Sequence, residues 1–175
     1  MDIRSARLSD ASTLASLLDA YLTESFPGHS GTSAAVLESD VLSGGSILRV
    51  LLVERRGVPV GFAAWHHVYD LHWGKGGAEI DDLYLVPQYR GNGVALALVA
   101  AVCNAARQEG LVYLHGSSFD RESPVGRFYD RIAVVGDSAQ CYCAGRAFRR
   151  LAELHGQSPR DMARSLPLKA WNYEP

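Results

Sequence analysis

From Ala78 to His115 the chain reads strand, turn, helix, strand, and no other stretch constrains the fold as much. Ala78 to Val86 forms a long strand that Pro87 stops. Gly91 and Gly93 punctuate the turn. A helix starts near Gly93 and runs to about Glu109, and Gly110 terminates it. Its Ala, Leu and Val content is high all round, which predicts a largely buried helix. Leu111 to His115 is the second strand. A strand–helix–strand crossover makes the two strands parallel.

The rest of the chain must pack around that unit. Ile3 to Ala6 opens as a short strand, and Ser9 or Asp10 caps a helix in which Ala11, Leu14, Leu17, Leu18 and Tyr21 recur at helical spacing. Pro27, Gly28 and Gly31 break it. A second helix spans Ser33 to Leu42, and Gly44-Gly45 ends it. Ile47 to Glu54 and Val60 to Tyr69 are strands joined by the turn Arg56-Gly57-Val58-Pro59, which predicts a hairpin. A Gly-rich loop holding His72, Trp73, Gly74, Gly76 and Gly77 follows. Beyond the crossover, Ser123-Pro124 opens a helix carrying Phe128 and Tyr129. Val134 to Cys143 supplies the last strands, Arg146 to Leu154 is helical, and Ser158-Pro159 starts one more short helix. This order predicts an α/β or α+β chain with a mixed sheet. It also predicts a single domain over 1–175, with its core to about 155 and a C-terminal extension from about 156.

Composition excludes several classes. The length of 175 residues suits one domain. A net charge of -2 and the lack of any long Lys/Arg run argue against a nucleic-acid partner. No apolar stretch is long enough to cross a bilayer, and Met1 to Asp10 lacks a secretory pattern, so no membrane partner is expected. Three cysteines, Cys103, Cys141 and Cys143, are too few and too odd for a disulfide framework, which fits a cytoplasmic location. Cys141-x-Cys143 has no third and fourth ligand nearby, so no metal is expected. Cys103 sits mid-helix among apolar residues, a poor setting for a nucleophile.

The turn has its own chemistry. The first N–H groups of a helix lack internal partners, and the helix dipole puts partial positive charge there. Gly91 and Gly93 let backbone approach a ligand closely, and Arg90 adds a full charge. A pyrophosphate suits such a cradle. A P-loop would need Gly-Lys-Ser/Thr where Val94-Ala95 stands, and a dinucleotide site would need a third glycine where Leu96 stands. A lone Gly-x-Gly is equally at home in an ordinary connection.

Here the segment is longer. Gln88-x-x-Gly91-x-Gly93, directly after Leu83-Tyr84-Leu85-Val86-Pro87, resembles the acetyl-CoA signature of the GNAT superfamily of N-acetyltransferases. The resemblance implies a mixed, mostly antiparallel central sheet with one parallel βαβ unit and flanking helices. It implies acetyl-CoA as co-substrate, a strand splayed by a bulge, and a homodimer. By motif position, Leu83 and Leu85 would face pantetheine, and Arg90, Gly91, Asn92, Gly93, Val94, Ala95 and Leu96 would hold the pyrophosphate. Trp73, Asp81-Asp82, Tyr89-Arg90-Gly91 and Phe128-Tyr129 together resemble the diamine (spermidine/spermine-type) branch over roughly residues 60–129. That likeness implies Trp73 and Asp81 at the acceptor. Asp81 replaces that branch's Glu and is one methylene shorter, which points to a bridging water. Departures are Asp120-Arg121 before the Phe-Tyr helix and Ala133-Val134 after it.

Acetyl transfer to an amine needs a base, a polarised thioester carbonyl and a proton for the leaving sulfur. Tyr129 resembles the family's Tyr that protonates sulfur, although a core aromatic pair is the commoner fate of tyrosine. Glu79, Asp81 and Asp82 crowd one strand. Strand alternation sets Asp81 with Glu79, Leu83 and Leu85, and Asp82 on the other face. Beside the thioester, the Asp81 carboxylate is the candidate catalytic group that binds the cationic amine and takes its proton through water. Each acid taken singly is nearly as well read as a surface or paired charge. His66 and His67 lie on opposite faces of a strand. Each is first a satisfied sheet residue and second a substrate-side base. The expected reaction is therefore direct transfer from acetyl-CoA to a small primary amine, with an aminoglycoside or protein N-terminus as second choice. The rival is a CoA-binding module without catalysis.

Overall fold

A computed structural model describes residues 1–116, 122–129, 131 and 132. The last strands, the later helices, Asp120-Arg121, Ala133-Val134, Cys141 and Cys143 lie outside the described residues. The chain divides into two compact units, Met1–Phe119 and Asp120–Pro175.

The first unit is one five-stranded sheet in the order β1-β2-β3-β4-β5, formed by β1 (Asp2–Ser5), β2 (Arg49–Arg55), β3 (Val58–Asp70), β4 (Lys75–Leu85) and β5 (Leu114–Gly116). The first four strands pair antiparallel with one another in that order. β5 runs parallel to β4, with Ala78 opposite Leu114 and Ile80 opposite Gly116. That is the mixed sheet expected for a GNAT fold. β2 and β3 are joined by Arg56 (φ 53°) and Gly57 (φ 76°), a two-residue turn whose positive φ angles match the strand twist.

Two helices cover opposite faces. Helix α1 (Ala11–Ser25) packs on β3 and β4, and its Leu14 and Leu17 join Leu37, Val50, Leu52, Phe62, Ala64 and Tyr84 in one core cluster. Leu37 comes from the segment after α2 (Ala34–Val36), which widens into a π turn over Leu37–Leu42, where Ser43 N–H reaches back to the Glu38 carbonyl. Ser33 caps α2 by accepting from the Val36 amide at 3.3 Å. Helix α3 (Val94–Gln108) packs on β2, β3 and β4. Its Val94, Leu98, Val102 and Ala106 recur every four residues and are buried. Leu96, Ala100 and Cys103 are exposed, so a single stripe is covered and not the whole circumference.

The glycine-rich stretch before β4 also differs from expectation. The loop is only the turn over residues 71–74, and Gly76 and Gly77 are already strand. A Cβ on Gly77 would collide with the Tyr113 ring, so these glycines admit a close neighbour instead of forming a loop. Val112 and Ala78 amides donate to the Gly76 and Tyr113 carbonyls across that approach, each at 2.9 Å.

Candidate active site

Strand β4 carries both halves of the site. Its ladder with β3 runs from Gly61 opposite Leu85 to Ala64 opposite Asp82, then resumes at Trp65 opposite Ile80. Asp81 is the residue left over, a one-residue bulge. The bulge overturns the regular alternation. Glu79 lies opposite His66 and Asp82 opposite Ala64, and those two β3 residues share a face. Asp81 reaches the same face, with its Oδ2 2.7 Å from His66 Nδ1. The two adjacent carboxylates therefore meet on one side, contrary to the strand pattern.

The electrostatics follow from this crowding. Burial pushes the Asp82 carboxyl above its ordinary range, and the neighbouring Asp81 charge adds to the shift. A hydrogen bond from the Tyr21 hydroxyl of α1 opposes it. A carboxylate only accepts, so His66 carries its hydrogen on Nδ1, and in the neutral ring Nε2 keeps a lone pair. His67 belongs to the other face. Its Nε2 lies 2.6 Å from Glu109 Oε2, which also accepts from Arg49 at 2.9 Å. The residue pattern treats the two histidines alike, and only the register separates them. The helical period marks Tyr21 as a core position and says nothing about its hydroxyl.

Past the bulge, β5 no longer follows β4. From Asp81 to Leu85, β4 has β3 on one side and no strand on its other side among the described residues. Leu83 is half-buried and Leu85 buried there. Pro87–Tyr89 makes a tight turn closed by the Arg90 amide on the Pro87 carbonyl at 3.1 Å. Gly91 (φ 75°) and Gly93 (φ 76°) are left-handed, and a Cβ on either would meet nothing within 4 Å. Ala97 N–H makes the first helical bond, to Gly93 at 3.0 Å, so the amides of Val94, Ala95 and Leu96 precede any helical acceptor. Val94 buries its side chain, which leaves its amide as the group able to meet a ligand. Asn92 donates from its side chain to the Arg90 carbonyl at 3.2 Å.

Arg90 does not stand free in this turn. Its Nε donates to the Leu85 carbonyl at 2.8 Å, its two terminal nitrogens meet both oxygens of Glu24 at 2.6 and 2.7 Å, and its guanidinium lies 5.4 Å from the Tyr84 ring centroid. The Glu24 carboxyl is held below its usual range by that arginine.

Trp73 and Asp81 are not brought together. Trp73 is 68% exposed in the turn between β3 and β4, edge-on to Tyr113 at 5.7 Å. The six residue steps along the strand from Lys75 to Asp81 span about 20 Å. In the second unit, Pro124 opens α4 (Pro124–Tyr129), and Ser123 accepts from the Gly126 amide at 3.0 Å. Tyr129 packs 5.5 Å from Phe128, and burial pushes its phenol above the ordinary value. Among the described residues, no group of three or more His, Cys, Asp or Glu is set to hold a metal, and no helix is long and apolar enough to cross a membrane.

Comparisons with known proteins agree with this fold. The model of the acetyltransferase (GNAT) family matches residues 14–132, more than half of the chain. A search of curated protein sequences gives no match. Among solved structures, a ribosomal-protein-alanine N-acetyltransferase from Brucella melitensis biovar Abortus 2308 has a TM-score of 0.66 at 24% identity, covering 83% of this chain and 100% of its own. An integron cassette protein from the mobile metagenome of V. cholerae reaches 0.73 at 19% identity, covering 87% and 97%. An aminoglycoside acetyltransferase from an uncultured soil metagenomic sample gives 0.66 at 16%, covering 82% and 97%. At these identities the likeness is one of fold.

Proposed function

The chain belongs to the acetyltransferase (GNAT) family, and from that premise we propose that it transfers an acetyl group from acetyl-CoA to a small primary amine by direct attack in a ternary complex. The observation that carries the reading is a single strand, β4, with paired carboxylates at its bulge and an anion-ready turn at its end.

The amides of Gly91 to Leu96 take the diphosphate, and Leu83 and Leu85 flank pantetheine. The amine arrives as an ammonium ion held by Asp81 and Asp82. It gives one proton, through water, to Nε2 of His66, and Asp81 stabilises the resulting imidazolium. The nitrogen lone pair then attacks the thioester carbon. The N–C bond forms and the C–S bond breaks. Tyr129, which burial keeps protonated, donates to the departing sulfur, so CoA leaves as a thiol. The second nitrogen proton returns to Tyr129 through solvent, and one proton is released overall. The acceptor is of polyamine or amino-acid type, and the enzyme works in the cytoplasm as a homodimer.

The test is thiol release from acetyl-CoA across polyamines, amino acids, aminoglycosides and an alanine-terminated peptide. A small amine should be turned over fastest. His66→Gln and Tyr129→Phe should each lower kcat by about 100-fold or more. Coenzyme A binding without thiol release from any amine would instead make this a CoA-binding module. An aminoglycoside or the peptide as the best acceptor would overturn the small-amine assignment alone. Light scattering at twice the chain mass checks the dimer.

A further inference from the structure

The turn that precedes α3 has little to hold its shape. Gly91 and Gly93 carry no side chain, and nothing packs within 4 Å of where a Cβ would stand. What ties the turn down is Arg90, the residue immediately before it. The guanidinium fork matches the carboxylate of Glu24 nitrogen for oxygen, at 2.6 and 2.7 Å, while Nε holds the carbonyl at the end of β4. Asn92 adds a bond from within the turn back to the Arg90 carbonyl. Glu24 stands one residue before the end of α1, so the clamp joins that helix, the strand end and the turn.

We infer that Glu24 is a positioning residue for the coenzyme. It fixes Arg90 so that the following amides are already aimed when the diphosphate arrives, and Arg90 locks the turn instead of ligating phosphate itself. The inference rests on the reading of this turn as the diphosphate site. Both partners are more than a third exposed, and such pairs contribute little to global stability. The loss on breaking the clamp therefore falls on binding, because an unfixed turn must be ordered by the ligand.

Calorimetric titration of coenzyme A into the full-length protein, Glu24→Gln, Arg90→Gln and the double variant tests this, with thermal melts as the fold control. Glu24→Gln should bind about fivefold more weakly. Its KM for acetyl-CoA should rise with kcat and Tm unchanged, and the double variant should match Arg90→Gln alone. Glu24→Asp, which keeps the charge, should recover part of the affinity. Unchanged affinity in Glu24→Gln, or additive losses in the double variant, overturns the inference and leaves the turn as the site. Tighter binding by Glu24→Gln overturns it too and makes Arg90 a direct phosphate ligand that Glu24 restrains. No binding by the wild-type protein defeats the underlying reading of the turn, and the inference with it.

Discussion

At the scale of single residues, the site depends on which acids are charged. Burial and the Asp81 charge raise Asp82, and Tyr21 counteracts them. Tyr21→Phe removes the one influence that favours the ionised form, so Asp82 keeps its proton to a higher pH. If charged Asp82 holds the ammonium, the acid limb of the kcat/KM profile shifts upward in Tyr21→Phe, while activity at high pH is retained. A profile that does not move would remove Asp82 from acceptor binding. Gly61 illustrates a different constraint. A Cβ there would overlap the Leu85 side chain and the Tyr84 carbonyl, so Gly61→Ala must push β3 from β4. It should cost about 1–3 kcal/mol in a denaturant titration, the usual range for overpacking.

At the scale of elements, α3 holds one face of the sheet through a stripe rather than through its whole surface. Leu98 is fully buried at its centre, so Leu98→Ala should destabilise by about 2–5 kcal/mol, read as a lower urea midpoint at constant m. The helix itself was legible in the sequence, because Gly93 and Gly110 bracket a continuous run of helix formers. Its orientation was not, since polar residues mark the outside only in its last turns, at Asn104, Arg107 and Gln108. The same contrast divides the site. The turn at residues 91–96 could be read directly, because positive φ and free amides are properties of a few consecutive residues. The resemblance implied a bulge in the preceding strand and β4 carries one, but its place at Asp81 could not be read, because no residue type marks the position that a ladder leaves unpaired. The Arg90–Glu24 pair joins positions too far apart in sequence for any local pattern to announce it. Gly76 and Gly77 misled for a related reason: glycine marks loops and close approaches alike, and only Tyr113 tells them apart.

At the scale of the whole molecule, paired charges set the pH response. Arg4 joins Asp10 and Glu54 at 2.7 and 2.6 Å, linking β1, the start of α1 and β2. Asp10 is held below its ordinary range by Arg4, and Glu24 by Arg90. The folded state thus binds fewer protons than the unfolded one at these groups. Their contribution is complete above the ordinary carboxylate range and is lost as pH falls through and below it. Asp82 has the opposite sign: its raised value favours the folded state at low pH and loses that contribution as pH rises through it. Thermal melts from pH 7 down to pH 3 should therefore show falling stability in the wild type. Arg4→Met should flatten part of that slope. The bulge, finally, makes architecture and chemistry separable. Excising Asp81 alone would let Ile80 and Asp82 follow one another in an unbroken ladder, with every other residue of β4 keeping its partner. Such a shortened chain should melt no lower than its parent and yet acetylate nothing, a folded relic from which the reactive corner has been ironed flat.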